Sequence, residues 1–269
     1  MPATLIDCHQ HLAPTPDAAA RMRDAELAAG IARCVIFSAP AYYGIADNAA
    51  HLRAAEQFPD FFIPFYYFRL GEEAPTAVRD AARAGFRGLK FICPTADYDD
   101  PSYFPVYEQA EALRLPCLFH LGIVARPQHV VVREGYSKRM RPICLDTVAR
   151  CFPDLTLIGA HSGNPWLDEM AMAVRWNPNL FTDLSGSILT HRPPGYLRQV
   201  YWWDQADSFY KGGGRGPWDK VLFGTDTDPE KVAGVVADYR RHFAGMDLAP
   251  AEQAKVYSGN IARLLGLAG

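Results

Sequence analysis

His9 and His11 stand two apart in the run Ile6-Asp7-Cys8-His9-Gln10-His11. Residues two apart on an extended strand project to one face, so both imidazoles are expected to point together into whatever that strand encloses. Imidazole is the commonest biological metal ligand, and two on one rigid strand need little ordering to hold an ion. Alone, such a pair is a weak signal and reads first as two satisfied core histidines. Three further residues change the balance. Each follows an apolar run at its C-terminal end: His120 in Phe119-His120-Leu121-Gly122, His161 in Gly159-Ala160-His161-Ser162-Gly163, and Asp226 in Phe223-Gly224-Thr225-Asp226. An ionisable group in such a place is costly to bury without a partner. If the ends of these runs converge, imidazoles and a carboxylate gather round one point. The chemistry is then that of a divalent metal, with an imidazole at hand to carry protons near neutral pH.

The elements that would position them recur along the chain. Eight apolar segments, at 4–12, 34–40, 61–68, 88–94, 117–122, 155–163, 180–187 and 221–225, have the length of strands. Their nearly continuous hydrophobicity suits parallel strands buried on both faces. Helical patterning is expected at 17–29, 73–84, 103–113, 165–175, 229–242 and 251–265, the first two ending at Gly30 and Gly85. Strand–helix alternation repeated eight times predicts an α/β fold, a (β/α)8 TIM barrel forming one domain over residues 1–269, with a doubly wound open sheet as the rival. A dinucleotide-binding fold is disfavoured, because the first strand runs into His11-Leu12-Ala13-Pro14 with no glycine-rich turn. In a barrel the C-terminal strand ends share one mouth, where polar residues read as catalytic. Cys8, by alternation, should point away from the histidines into the core.

Length and composition agree. The 269 residues are 49% hydrophobic, enough for a sizeable core, and the net charge of −3 is spread without blocks, which suggests neither nucleic acid nor a membrane surface as partner. No apolar run has the length of a membrane span, and the N-terminus lacks a signal-peptide layout. Six cysteines form no CxxC pair, so a reduced, cytoplasmic protein without a zinc–thiolate site is expected.

The set His9-x-His11, His120, His161, Asp226 resembles the amidohydrolase superfamily. Its amidohydrolase-related (amidohydrolase 2) branch is similar in the phrases Gly85-Phe86-Arg87-Gly88-Leu89-Lys90, Leu118-Phe119-His120-Leu121-Gly122, Ala160-His161-Ser162-Gly163, Leu222-Phe223-Gly224-Thr225-Asp226 and Gly259-Asn260-Ile261-Ala262-Arg263-Leu264-Leu265. The resemblance implies one divalent ion, Zn2+ first and Mn2+ or another as alternatives, on His9, His11, His120 and Asp226. It places His161 beside the ion as proton donor and acceptor; Asp226 could instead take the proton of the water. Three imidazoles and a carboxylate suit zinc, which lowers the pKa of a bound water to about 7.

Lys90, between Leu89 and Phe91, needs an anion if its face is interior. It could be carbamylated and bridge a second metal, as in binuclear members of the superfamily. It could pair with Asp226 or a substrate carboxylate, or pack its stem and reach solvent or a structural carboxylate. The long connections 123–142 and 188–218 are candidate substrate segments. The first carries Arg126, Arg133, Lys138, Arg139 and Arg141 against Glu134; the second carries Arg192, Tyr196, Tyr201, Trp202, Trp203 and the turn Gly212-Gly213-Gly214. Arg126 and Arg192 are candidate carboxylate-binding residues, and the aromatic cluster is by default core or a subunit interface. His51, His129, His191 and His242 read as surface or loop residues. Asp183 and Ser185 could line the mouth but read first as structural hydrogen-bonding groups, and Asp7 and Asp228 as caps or braces.

The expected function is metal-dependent hydrolysis of an amide, lactone or cyclic ester in a small molecule, one bearing a carboxylate. The alternatives are non-oxidative decarboxylation of an aromatic or unsaturated acid, and a barrel that binds a ligand without turnover. The expected partner is a small-molecule substrate, with a homo-oligomer allowed.

Overall fold

The computed structural model describes residues 4–125, 135–205 and 216–267. Eight strands, β1 (Leu5–Gln10), β2 (Ile31–Phe37), β3 (Phe62–Tyr67), β4 (Leu89–Phe91), β5 (Cys117–Phe119), β6 (Leu157–Gly159), β7 (Leu180–Asp183) and β8 (Val221–Leu222), lie in one sheet in chain order. All seven pairings are parallel. The ends of the sheet meet: Cys8 N–H donates to Phe223 O at 3.0 Å and Asp226 N–H to His9 O at 2.8 Å. The fold is therefore the (β/α)8 barrel, and the last bond ties the metal-ligand candidate on the first strand to the one after the eighth.

The longer helices are α1 (Ala18–Ala28), α2 (Asn48–Gln57), α3 (Ala77–Ala84), α4 (Phe104–Ala112), α5 (Ile143–Cys151), α6 (Leu167–Trp176) and α8 (Val232–Gly245), with the short α7 (Tyr196–Val200) before the last strand. The chain closes with α9 (Pro250–Ala254), a π turn Lys255–Gly259 and α10 (Asn260–Leu265). That π turn interrupts the single helix expected at 251–265, and its Val256 carbonyl accepts from Phe223 N at 3.0 Å. The helix expected from residue 73 begins at Ala77, because Glu73 turns back to accept from Arg69 N–H at 2.7 Å and Tyr66 O–H at 2.8 Å. No helix among the described residues is long and apolar enough to cross a membrane.

The barrel is filled, not hollow. Ile6, Val35, Phe37, Ile63, Phe65, Leu118, Ile158, Phe181 and Leu222 form one buried cluster inside it, with Ile261 and Leu265 of α10 packed against them. Two further clusters lie between strands and helices. Cys8 is core as expected, but it belongs to the interior cluster. The alternation argument fails there because the β1–β2 register shifts between Asp7 and Gln10. Across that irregularity Cys8, His9 and His11 all turn inward, while Gln10 bonds outward to Glu26 and Thr225.

Two histidines expected at the surface are buried. His51, on α2, accepts Leu12 N–H through Nε2 at 3.2 Å and bonds Asp47 O through Nδ1 at 2.9 Å. His242, on α8, bonds Leu189 O at 2.8 Å. Both satisfy backbone groups beside the mouth loops, which costs less than leaving those groups unpaired. His191 is exposed, and His129 lies outside the described residues.

Candidate metal centre

Asp226 is the hub of the mouth. Its Oδ1 faces His9 Nε2 at 3.9 Å and His11 Nε2 at 3.7 Å, and its Oδ2 faces His161 Nε2 at 3.8 Å. These separations are too long for hydrogen bonds. They match donors that share an ion, since ligands each about 2.0–2.2 Å from one zinc lie roughly 3–4 Å apart.

In each imidazole the other nitrogen is tied back. His9 Nδ1 bonds Asp183 Oδ2 at 2.9 Å, His11 Nδ1 bonds Phe37 O at 2.8 Å, and His161 Nδ1 bonds Ser185 Oγ at 2.9 Å. A carbonyl or carboxylate on Nδ1 fixes the proton there and leaves the Nε2 lone pair free, the arrangement found behind metal-ligating histidines. His120 differs. Its ring centroid is 5.0 Å from that of His161, and its Nε2 is buried with no hydrogen-bond partner among the described residues. An orphaned buried ring nitrogen of this kind calls for an occupant. Two groups of donors within 4.8 Å of one another form here, His9/His11/Asp226 and His9/His161/Asp183, and His120 belongs to neither. The donor set therefore fits one divalent cation, with His161 as near Asp226 as the first-strand pair and His120 one ring further.

Backbone and burial hold this arrangement. His161 and Asp226 have φ of 56° and 47°, a left-handed region that non-glycine residues rarely occupy and that clusters at functional sites. Gly186 gives His161 room, since a Cβ there would stand 3.3 Å from His161 Nδ1. Gly224 does the same for His9, with its own virtual Cβ 3.0 Å from that of His9. Asp7 braces the approach from below: Oδ1 accepts from His9 N at 2.8 Å and Thr225 N at 3.1 Å, and Oδ2 accepts the Thr225 hydroxyl. Asp228 makes no cap bond with its side chain and pairs instead with Lys231 at 2.6 Å.

The electrostatics suit neutral imidazoles around an ionised carboxylate. Burial, then the nearby Lys90 charge, lowers His9 to about 4; burial lowers His11 to about 3 and pushes His120 well down. Burial would raise Asp226, but His9, His161, His11 and Lys90 outweigh it and hold the carboxyl well below its usual range. Lys90 is interior and buried, with Nζ 3.4 Å from His9 Nε2 and 4.4 Å from the centre of the Phe37 ring.

The mouth opens into a cavity of about 530 Å³ that His11 and Asp226 line together with Met22, Tyr43, Ile45 and Thr227. Arg21 at its edge is paired with Glu230 at 2.5 Å. The cationic connection contributes less than its charges suggested. Arg141 is held by Glu169 at 2.6 Å, and Lys138 and Arg139 lie in a separate pocket with Asp97, Asp99 and Asp100. Arg126, Arg133 and Glu134 lie outside the described residues, as does the triple-glycine turn. Arg192 is exposed and stacks on Tyr196, 4.8 Å from the ring centre, and none of its described contacts reaches the cluster. Tyr201 and Trp203 are core; the Tyr201 hydroxyl lies 2.7 Å from Ser162 Oγ, behind His161. The expected structural role of Asp183 and Ser185 underrated them: both tie back imidazoles of the site, and two polar residues at alternate positions closing the apolar run of the seventh strand were the available signal.

A family model described as amidohydrolase matches residues 6–267. No curated protein matches the chain. Among solved structures, a probable 2-pyrone-4,6-dicarboxylic acid hydrolase from Acinetobacter baumannii with citric acid bound is 14% identical, with 98% of this chain and 100% of that chain covered and a TM-score of 0.65. A 5-carboxyvanillate decarboxylase from Sphingomonas paucimobilis is 17% identical over 99% and 100% at a TM-score of 0.64. An amidohydrolase from Burkholderia multivorans with bound zinc is 17% identical over 99% and 100% at 0.63. At these identities the likeness speaks for the fold.

Proposed function

The chain belongs to the amidohydrolase family, and from that premise we propose that it is a single-domain, metal-dependent hydrolase of an amide, lactone or cyclic ester in a small, carboxylate-bearing molecule. The observation that carries this reading is the pair of Nε2 atoms, of His9 and His11, turned on the Asp226 carboxylate at 3.9 and 3.7 Å with each Nδ1 anchored behind it, beside the buried His120 Nε2 that has no partner among the described residues. His9, His11, His120 and Asp226 would hold one divalent ion, Zn2+ by the chemistry of three imidazoles and a carboxylate. When bound, the ion polarises a carbonyl and makes water a nucleophile near neutral pH.

The chain's own groups do the rest. Asp226, kept ionised, suits a ligand and is a weak base. His161, 3.8 Å from it and partly exposed, is the group that takes a proton from water and returns one to the leaving atom. Lys90, a buried cation at the same floor, would pair with a substrate carboxylate that reaches past His9. The cavity beside His11 and Asp226 has the size of small-molecule sites and would hold the remainder.

Lys90 also favours a second reading, decarboxylation of an aromatic or unsaturated acid, in which the substrate carboxylate lies at the floor and the ring in the cavity. Incubation of zinc-loaded protein with lactones, cyclic amides and aromatic acids separates the two. Acid formation without CO2 supports hydrolysis, CO2 release supports decarboxylation, and stoichiometric binding without conversion supports a ligand-binding barrel. Metal analysis of two variants tests the roles. His120→Ala is expected to lose the ion and His161→Ala to keep it while turnover collapses; the reverse pattern would exchange those assignments.

A further inference from the structure

We infer that Ser185 is a positioning residue that fixes the proton of His161 on Nδ1, so that the neutral ring presents a bare Nε2 lone pair to Asp226. The assignment follows from counting hydrogens around Asp183. Its Oδ1 lies 2.9 Å from His161 N, 3.0 Å from Ser185 N and 2.5 Å from Ser185 Oγ, and its Oδ2 lies 2.9 Å from His9 Nδ1. Backbone N–H groups only donate, so Oδ1 is an acceptor toward each of them. At 2.5 Å a proton must lie between Ser185 Oγ and Asp183 Oδ1, and the hydroxyl supplies it. A carboxyl hydrogen on Oδ1 would face both backbone N–H donors, so the hydrogen of the short contact belongs to the serine.

The hydroxyl has then spent its only hydrogen. At 2.9 Å from His161 Nδ1 it can take part only as acceptor, which requires hydrogen on Nδ1. A second contact says the same independently. His161 Nδ1 lies 3.3 Å from the Ser185 carbonyl oxygen, which cannot donate. The opposite tautomer would set a ring lone pair against two oxygen lone pairs in a buried place, at the cost of unmade hydrogen bonds. One carboxylate thus aims two rings: His9 directly and His161 through the serine, both with Nε2 toward Asp226.

The catalytic meaning of this tautomer rests on the proposed role of His161. The resting ring is a proton acceptor first and becomes a donor only after it has taken a proton. The tautomer itself needs neither metal nor substrate, so its test fails or succeeds apart from that proposal.

Long-range 1H–15N spectra of the 15N-labelled, metal-free protein, at a pH where the His161 ring is neutral, are expected to show hydrogen on Nδ1 and a bare Nε2. A ring with its hydrogen on Nε2 overturns the assignment. In Ser185→Ala the longer carbonyl contact alone remains, and the Nε2–H form of His161 is expected to become measurably populated beside Nδ1–H. Ser185→Thr, which keeps the hydroxyl, is expected to restore the wild-type spectrum. A wild-type tautomer in Ser185→Ala would remove the role from Ser185. His51, whose Nε2 accepts from Leu12 N, serves as the fold reference within each spectrum.

Discussion

Lys90 Nζ stands 3.4 Å from His9 Nε2, so a cation and an imidazole lone pair share the barrel floor. Both are fully buried, and each lowers the cost of the other only while His9 is neutral. Burial brings Lys90 down to about 8 against the pull of Asp226 and Asp183, which leaves it charged below that pH. We expect Lys90→Met to keep one metal ion per chain by elemental analysis, because the four proposed ligands are untouched. A wild-type protein with two ions and a variant with one would instead identify Lys90 as a carbamylated bridge.

The site was legible where a polar residue ended an apolar run: His9, His11, His120, His161 and Asp226 are all at the mouth because strands of a barrel share that end. For Lys90 the sequence left the facing open, and only the closed barrel puts it inside. Helix α2 was not legible, since its buried face is His51, Ala54 and Ala55, a weak apolar signal, whereas α5 was missed although Cys144, Leu145, Val148 and Ala149 recur at helical spacing. Cys8 shows the limit of alternation: a register shift that turns consecutive side chains inward leaves no mark in the residue types. The tether of His9 to Asp183 joins residues 174 positions apart, and only the closed sheet brings β7 behind β1.

Asp183→Asn tests that tether. An amide cannot accept from every donor around this carboxylate, so one of its own N–H groups must face another donor. The His9 ring then loses its anchor and its basicity falls. Loss of such a partner typically costs about 10–100-fold in metal affinity or activity. Zinc competition against a chromophoric chelator measures it, and an affinity equal to wild type would deny Asp183 any part in the centre.

The buried histidines make the metal-free protein sensitive to acid. His9 is lowered from 6.5 to about 4, His11 to about 3 and His51 to about 4, each chiefly by burial. A depressed folded value means that the unfolded chain binds protons first as pH falls. Stability is therefore intact above pH 6.5 and is lost between 6.5 and about 4. One unit is worth about 1.4 kcal/mol, so His9 alone accounts for about 3 kcal/mol across its window. The urea midpoint of metal-free protein should fall clearly from pH 7 to pH 5. Bound zinc should raise the midpoint at both pH values and leave the slope in place, because it holds the folded rings neutral while the unfolded chain still takes up protons. A flat midpoint without metal would contradict the buried, neutral state of these residues.

Glu26 predicts the opposite pH dependence. Its carboxyl, that of Asp7 and the Cys34 thiol place donor atoms within 4.8 Å of one another, all buried. Asp7 is occupied by three donors, whereas Glu26 takes a long contact from Gln10 at 3.4 Å, faces Asp7 and Thr225, and has an Oε2 with no hydrogen-bond partner among the described residues. Burial, followed by the charge of the neighbouring acid, raises Glu26 well above its ordinary value, and burial raises Asp7 to about 7. Raised folded values mean that stability is full below the unfolded carboxylate range and declines as pH climbs through the folded values. Glu26→Gln removes the ionisation, and its amide N–H can donate toward Asp7. The variant should match wild type near pH 4, where the folded acids are neutral, and exceed it at pH 8, since each unit by which a folded carboxyl is raised is worth about 1.4 kcal/mol. Denaturant melts at both pH values decide it. An equal gain at pH 4 would trace the effect to packing, and no gain at pH 8 would mean that the acid pair carries no ionisation penalty.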